Sequence, residues 1–219
     1  MQTSVLIIDN NPIIRFGLRE MLEMENDIRV CADLENYHSA FEAIENHHPD
    51  MIIMDIDMGA TSGIDFIKQI KSSYKEIRIL VFTFLDESIY AERVLQAQAS
   101  GFISKTASCE KIRWGVRSVK NGGLCISEEI EKKLVEEIFF HKKSESPIDN
   151  LSNRELQILD LISKGLKPSQ MADCLNLSAK TVENYRSNLR YKLNLKNASE
   201  LFQYAIHWRM DQQSVKICA

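Results

Sequence analysis

Glycine and proline are scarce, eight and four in 219 residues, which excludes collagen-like, low-complexity and broadly disordered chains. The five cysteines (Cys31, Cys109, Cys125, Cys174 and Cys218) are an odd number, widely scattered, with no Cys-x-x-Cys pair and no histidine at metal-ligand spacing. Neither a disulfide scaffold nor a zinc module is expected, and the thiols read as reduced. Apolar runs such as Ile79-Leu80-Val81-Phe82 fall far short of the about 20 residues a bilayer span takes. The first residues carry neither the charged region nor the long apolar core of a secretory signal. The expectation is a soluble, cytoplasmic protein with no membrane association.

What is present is a globular balance, 44% hydrophobic and 26% charged, in a chain long enough for two domains. The net charge of −4, taken alone, argues against nucleic acid. It conceals a split: residues 1–125 carry −5, 126–150 carry −3 and 151–219 carry +4. The basic C-terminal third is a stronger clue to partners than the total.

Short apolar runs at Val5 to Ile8, Ile28 to Ala32, Met51 to Met54, Ile77 to Phe82 and Gly101 to Ile103 alternate with helically spaced stretches at Pro12 to Met24, Ser39 to Glu45, Ile64 to Lys71, Ser88 to Gln98 and Glu110 to Val119. Strands alternating with helices, and apolar throughout rather than every second residue, predict a doubly wound α/β domain with a five-stranded parallel sheet at 1–125. Glu128 to His141 predicts one more helix, and the polar stretch from Lys142 to Pro147 a linker, so 126–150 reads as helix and linker. From Leu151 the pattern is helical only: a capping-box sequence at Ser152 to Glu155, a stop at Gly165, Pro168 opening a short helix to about Leu175, Ser178 capping another to about Leu193, and a last helix from Ser199 to Trp208. Four helices, the second and third joined by Asn176-Leu177-Ser178, have helix-turn-helix spacing, giving an all-α domain at 151–219.

In a parallel sheet the carboxyl ends of the strands share one edge, where ligands bind. That edge gathers Asp9 and Asn10, Asp55 and Asp57, Thr83 and Lys105. Clustered carboxylates suit a hard cation such as Mg²⁺. An Asp beside Mg²⁺, with a Lys and a Thr to hold phosphoryl oxygens, is equipped to become an aspartyl phosphate. The plainer reading is that acids commonly end strands in loops, but one residue set spread over four strands is harder to explain that way.

Val5-Leu6-Ile7-Ile8-Asp9-Asn10-Asn11-Pro12, Asp50 to Met58, Ile79 to Thr83 and Gly101-Phe102-Ile103-Ser104-Lys105 resemble the flavodoxin-like receiver domain of two-component response regulators over residues 4 to about 122. The resemblance implies Asp55 as phosphoacceptor, Asp9 and the Asp57 carbonyl on the metal side, Thr83 and Lys105 as phosphoryl ligands and Phe102 as the aromatic that reports phosphorylation. Three departures stand out. Asn10 replaces the second acid of the family, a direct metal ligand, and weakens the expected Mg²⁺ binding. Gly59 replaces a usual Pro and is expected to loosen its loop. Phe84 follows Thr83 where a smaller residue is usual and is expected to hinder access to Asp55. Slow phosphorylation follows. The Asp55-x-Asp57 run and the strand ending in Thr83 are also similar to haloacid-dehalogenase-type phosphatases, with Asp55 as nucleophile and Asp57 as acid/base. That family needs an acidic pair downstream of its Lys; here the acid lies upstream, at Asp9.

On a helical wheel of 179–193, Val182, Tyr185, Leu189 and Leu193 share one side, and Lys180, Glu183, Asn184, Ser187 and Tyr191 the other. Lys180, Arg186, Arg190, Lys192 and Lys196 against Glu183 alone suit DNA phosphates. Glu183 can accept from a cytosine amino group or pair with Arg186 one turn on, and Asn184 can pair with adenine. Leu151 to Glu155, Lys164-Gly165, Thr181 to Leu189 and Lys192-Leu193 resemble the LuxR-type DNA-binding domain over about 149–209. That resemblance places 179–193 in the major groove and adds Thr181 and Ser187 to the contacts. The last helix carries Leu201, Ala205 and Trp208 on one stripe, which reads as core packing, and the resemblance also makes that helix a homodimer contact. Lys167-Pro168-Ser169-Gln170-Met171 departs from the family's usual middle motif. Together the two halves resemble the NarL/FixJ class, leaning toward its GacA/UvrY branch. The class implies a transcription regulator, not an enzyme, phosphorylated by a cognate sensor histidine kinase; the alternative is an atypical receiver acting without phosphorylation.

Overall fold

The structure, a computed structural model, describes residues 2–59, 61–140 and 147–214 and divides into two compact units, 1–131 and 132–219. In the first, strands and helices alternate as β1 (Thr3–Ile8), α1 (Pro12–Glu23), β2 (Ile28–Leu34), α2 (Ala40–His47), β3 (Met51–Met54), α3 (Gly63–Ser73), β4 (Arg78–Thr83), α4 (Glu87–Gln96), β5 (Gly101–Ser104) and α5 (Cys109–Lys120). All pairings are parallel, in the order β2-β1-β3-β4-β5. β3 is buried at every residue, which is why its sequence is apolar without alternation. Edge strand β2 alternates more and holds the one register shift of its ladder with β1, opposite Val5 and Leu6.

Leu18 and Leu22 of α1 and Ile112, Val116 and Val119 of α5 share one core cluster with Val5, Ile53 and Leu80. On α2 and α3, Phe41 meets Phe66 edge to face with 5.6 Å between ring centroids. Burying each such side chain contributes roughly 1.5–3 kcal/mol. The helices begin where short polar side chains can take their free amides: Asn11 ahead of α1, Ser62 ahead of α3, Asp86 ahead of α4 and Ser108 ahead of α5.

Helix α6 (Glu128–Phe140) runs across the division between the units. His141 and the linker residues 142–146 lie outside the described residues. Pro147–Asn150 forms a 3₁₀ turn, followed by α7 (Asn153–Ser163), α8 (Pro168–Leu175), α9 (Ala179–Lys192) and α10 (Ala198–Ser214). Ser152 and Glu155 close the capping box of α7, Pro168 opens α8, and Ser178 caps α9. Asn176 ends α8 in the left-handed conformation, φ 51°. Val182 and Leu189 of α9 and Leu201, Ala205 and Trp208 of α10 are buried, whereas Lys180, Glu183, Asn184, Ser187 and Tyr191 are exposed. α10 runs past the expected end at Trp208 because nothing in Arg209 to Ser214 breaks a helix. Among the described residues, no helix is long and apolar enough to cross a membrane.

Candidate functional site

The backbone sets the acidic edge before any side chain does. Asp9 and Asp55 follow neighbouring strands β1 and β3, and the Asp55 amide donates to the Ile8 carbonyl at 2.9 Å. The Lys105 amide, just past β5, donates to the Thr83 carbonyl at 2.9 Å. Parallel pairing therefore carries two carboxylates, a hydroxyl and an ammonium to one end of the sheet.

Lys105 lies between the two carboxylates, its Nζ 2.7 Å from Asp9 Oδ2 and 2.5 Å from Asp55 Oδ2, with its side chain only 2% exposed. The other carboxylate oxygens take backbone amides: Asp55 Oδ1 from Asp57 at 2.9 Å and Asp9 Oδ1 from Asn11 at 2.8 Å. Burial pushes the Asp9 carboxyl above its ordinary value, against the lowering effect of the Lys105 ion pair and the Asn11 amide. Although close to Lys105, Asp9 Oδ2 is buried and accepts no well-aligned hydrogen bond. A buried carboxylate oxygen in that condition, beside a second carboxylate, fits a hard cation. Among the described residues no three His, Cys, Asp or Glu side chains converge as a metal cluster. Asn10 is exposed next to Asp9 in the chain, and Asp57 is half-buried with its amide on Asp55 Oδ1.

Thr83 is fully buried at the end of β4, its Oγ1 accepting a long 3.4 Å bond from the Leu85 amide. Phe84 is 66% exposed and stands beside the pocket's cation, its ring centroid 5.3 Å from Lys105 Nζ, within cation–π range. Gly59 takes φ 76°, a path closed to proline, whose ring holds φ near −65°. Phe102 is buried on β5. Asp9, upstream in the chain, is the acid that joins Asp55, the order of the receiver and not of the phosphatase.

One residue escaped the sequence reading. Tyr37, in the polar loop between β2 and α2, donates from its buried hydroxyl to the Asp55 carbonyl at 2.7 Å. Its ring stacks on Phe66 at 4.4 Å and 22°. Gly63 makes the room, since a Cβ there would lie 2.6 Å from the Tyr37 hydroxyl and 2.4 Å from Ile56 Cα. The only signal was a lone aromatic among polar residues.

On α9 the candidate contacts divide. Lys180, Asn184 and, beyond the helix, Lys196 are exposed. Thr181 is engaged by Ser178, amide to Oγ at 3.0 Å and hydroxyl to hydroxyl at 2.8 Å. Glu183 pairs with Arg186 at 2.6 Å, and Arg190 donates to Ser187 Oγ at 3.2 Å. Lys192 turns from the outward face: its Nζ donates to Glu155 Oε2 at 2.7 Å and to the Asn150 carbonyl at 3.2 Å. Tyr191, 89% exposed, is the largest apolar surface on the outward stripe.

The response regulator receiver domain family matches residues 5–117, and the luxR family of bacterial regulatory proteins matches 149–205. The chain is 34% identical to the oxygen regulatory protein NreC of Staphylococcus haemolyticus over 208 residues, 92% of this chain and 96% of that protein. It is 32% identical to the response regulator UvrY of Escherichia coli over 203 residues, 93% of each. In fold it is similar to the RcsB response regulator of Salmonella typhimurium, with a TM-score of 0.65 and 24% identity over 94% of this chain and 98% of that one. RcsB bound to promoter rprA in the presence of phosphomimetic BeF3⁻ gives a TM-score of 0.61 at the same identity and coverage. With both families matched in this order and relatives aligned along most of its length, the chain belongs to the two-component response regulators of the NarL/FixJ class, a receiver domain followed by a LuxR-type domain.

Proposed function

We propose that the chain is a cytoplasmic transcription regulator whose binding to DNA is set by phosphorylation of Asp55. The observation that carries this reading is the single ammonium of Lys105 within 2.7 Å of Asp9 and 2.5 Å of Asp55 at the carboxyl edge of the sheet. The donor is the phosphohistidine of a sensor histidine kinase. An Asp55 oxygen attacks phosphorus, the P–N bond breaks as the O–P bond forms, and the imidazole keeps the electron pair and takes up a proton. Lys105 and the Thr83 hydroxyl receive phosphoryl oxygens, their fixed positions lowering the cost of the charge that develops. Asp9, Asn10, Asp55 and Asp57 are the residues that would hold Mg²⁺, which when bound supplies positive charge between carboxylate and phosphoryl group. Phe102 follows the pocket's change from within the core.

In this reading 1–125 is the receiver, 126–150 the connecting helix and linker, and 151–219 the DNA-binding domain. Two copies pair and insert α9 into the major groove of two half-sites. Lys180 and Lys196 meet phosphates, Asn184 reads a base edge, and Arg186, Arg190, Glu183 and Ser187 exchange their mutual bonds for DNA.

With a small-molecule phosphodonor and Mg²⁺, intact-mass measurement should show one phosphoryl group on the native chain and none on Asp55→Ala. Genome-wide occupancy should change between the two. Equal occupancy would overturn the phosphorylation switch while leaving the DNA reading in place.

A further inference from the structure

We infer that Glu87 is a positioning residue that ties the phosphorylation pocket to the first turn of α6. The inference rests on the reading of Asp55 as phosphoacceptor and adds the route by which its state reaches the connecting helix.

After α5 the chain turns at Gly122, φ 84°, and Cys125 docks on the open edge of β5. The Cys125 amide donates to the Ser100 carbonyl at 3.0 Å, and the Phe102 amide donates to the Cys125 carbonyl at 2.7 Å. Two glycines make this seat. A Cβ at Gly101 would lie 2.5 Å from the Cys125 carbonyl oxygen, and one at Gly115 would lie 2.6 Å from its Sγ. The thiol is pushed up to about 11, chiefly by burial, so Cys125 serves packing rather than reactivity. The segment that enters α6 is thus fixed at β5, the strand leading to Lys105.

Two residues on, Ser127 caps α6, its Oγ accepting from the Ile130 amide at 3.4 Å and its carbonyl from the Glu131 amide at 3.0 Å. In a capping box the residue three beyond the cap is Glu or Gln, whose side chain returns to the cap's own amide. Here that residue is Ile130, which cannot. Glu87 takes its place from another helix, its Oε1 accepting the Ser127 amide at 2.8 Å. α6 therefore starts on a carboxylate that belongs to α4.

Glu87 is the first residue of α4 and lies four residues past Thr83. Asp86, between them, caps α4 by accepting from the Ser88 amide at 3.1 Å. Thr83 holds the Leu85 amide only by its long 3.4 Å bond, so turning its hydroxyl to a phosphoryl oxygen breaks little and re-sets the short connection from β4 to Glu87. A shift at Ser127 would move the first turn of α6, the helix that precedes the linker in sequence. A contact at one end of a helix that the pocket can hold or release is what such a switch needs.

The test uses the full chain. DNA affinity would be measured with and without phosphodonor and Mg²⁺, on a duplex selected by the native protein from a random-sequence library, for native, Glu87→Ala and Glu87→Gln. Amide hydrogen exchange would be followed over 125–131. In Glu87→Ala the ratio of phosphorylated to unphosphorylated affinity should fall at least fivefold toward one, and amides 127–131 should exchange faster, with phosphorylation rate and melting temperature near native. Glu87→Gln, which keeps an acceptor oxygen, should hold the ratio within twofold of native. A native-like ratio or native-like exchange in Glu87→Ala would overturn the role of Glu87. A ratio of one in the native chain would instead overturn the phosphorylation reading on which it rests.

Discussion

Asp9 and Asp55 face one ammonium, and the charge balance of the pocket turns on their neighbours. Asn10 brings an oxygen but no charge, so Asn10→Asp adds an anion beside the cation site. Mg²⁺ should then bind roughly tenfold more tightly, and phosphorylation by a small-molecule donor should speed up. Metal titration and intact-mass time courses measure both, and equal values for the two proteins would remove Asn10 as the cause of weakness. Tyr37 acts on the same aspartate through its backbone. Tyr37→Phe keeps the Phe66 stack but strips the Asp55 carbonyl of a buried donor, which should cost about 1–3 kcal/mol in urea unfolding and slow phosphorylation. An unchanged midpoint would mean water replaces the hydroxyl. The strand-end residues Asp9, Asp55, Thr83 and Lys105 were legible because a short apolar run fixes where a strand stops. Tyr37 was not, because its partner lies 18 residues away and the loop around it has no period.

At the scale of elements, helix starts followed from sequence where a cap residue met a helical period, as at Ser152 and Ser178, whereas the caps Asn11, Ser62, Asp86 and Ser108 emerged with the fold. What wheels could not show is how α7 and α9 are fastened. Glu155 is buried, with its side chain 4% exposed, and accepts from the Ser152 amide and from Lys192, each at 2.7 Å. Burial alone would raise its carboxyl, but the Lys192 and Ser152 hydrogen bonds outweigh this and hold it below its ordinary value of 4.5. A folded value below the unfolded one means that its contribution to stability is present above about pH 4.5 and is lost as pH falls through the folded value. Lys192 is therefore engaged by the fold through its ammonium, whereas Lys196 is exposed. Lys196→Met should weaken DNA binding and reduce the salt slope by about 0.9. Lys192→Met should weaken binding with the slope unchanged and lower the stability of the helical unit by about 1–3 kcal/mol. Affinities across a salt series decide, and equal slope changes would return Lys192 to the phosphate contacts.

At the scale of the whole molecule, the −4 total joins an acidic phosphoryl-transfer unit and its acidic connecting helix to a +4 unit built for DNA. The sequence by itself determined the alternation of strands and helices, the two domains, the four strand-end residues and the outward stripe of α9. Each of these follows from local period, local capping or strand length, which neighbouring residues specify. Tertiary structure alone decided that Lys105 bridges Asp9 and Asp55, that Tyr37 holds the Asp55 carbonyl, that Lys192 pairs with Glu155 and that Glu87 completes the cap of Ser127. Those pairings join residues 18 to 96 positions apart, and only the packing of separate elements can select one buried partner among the many that charge and hydrogen bonding would allow.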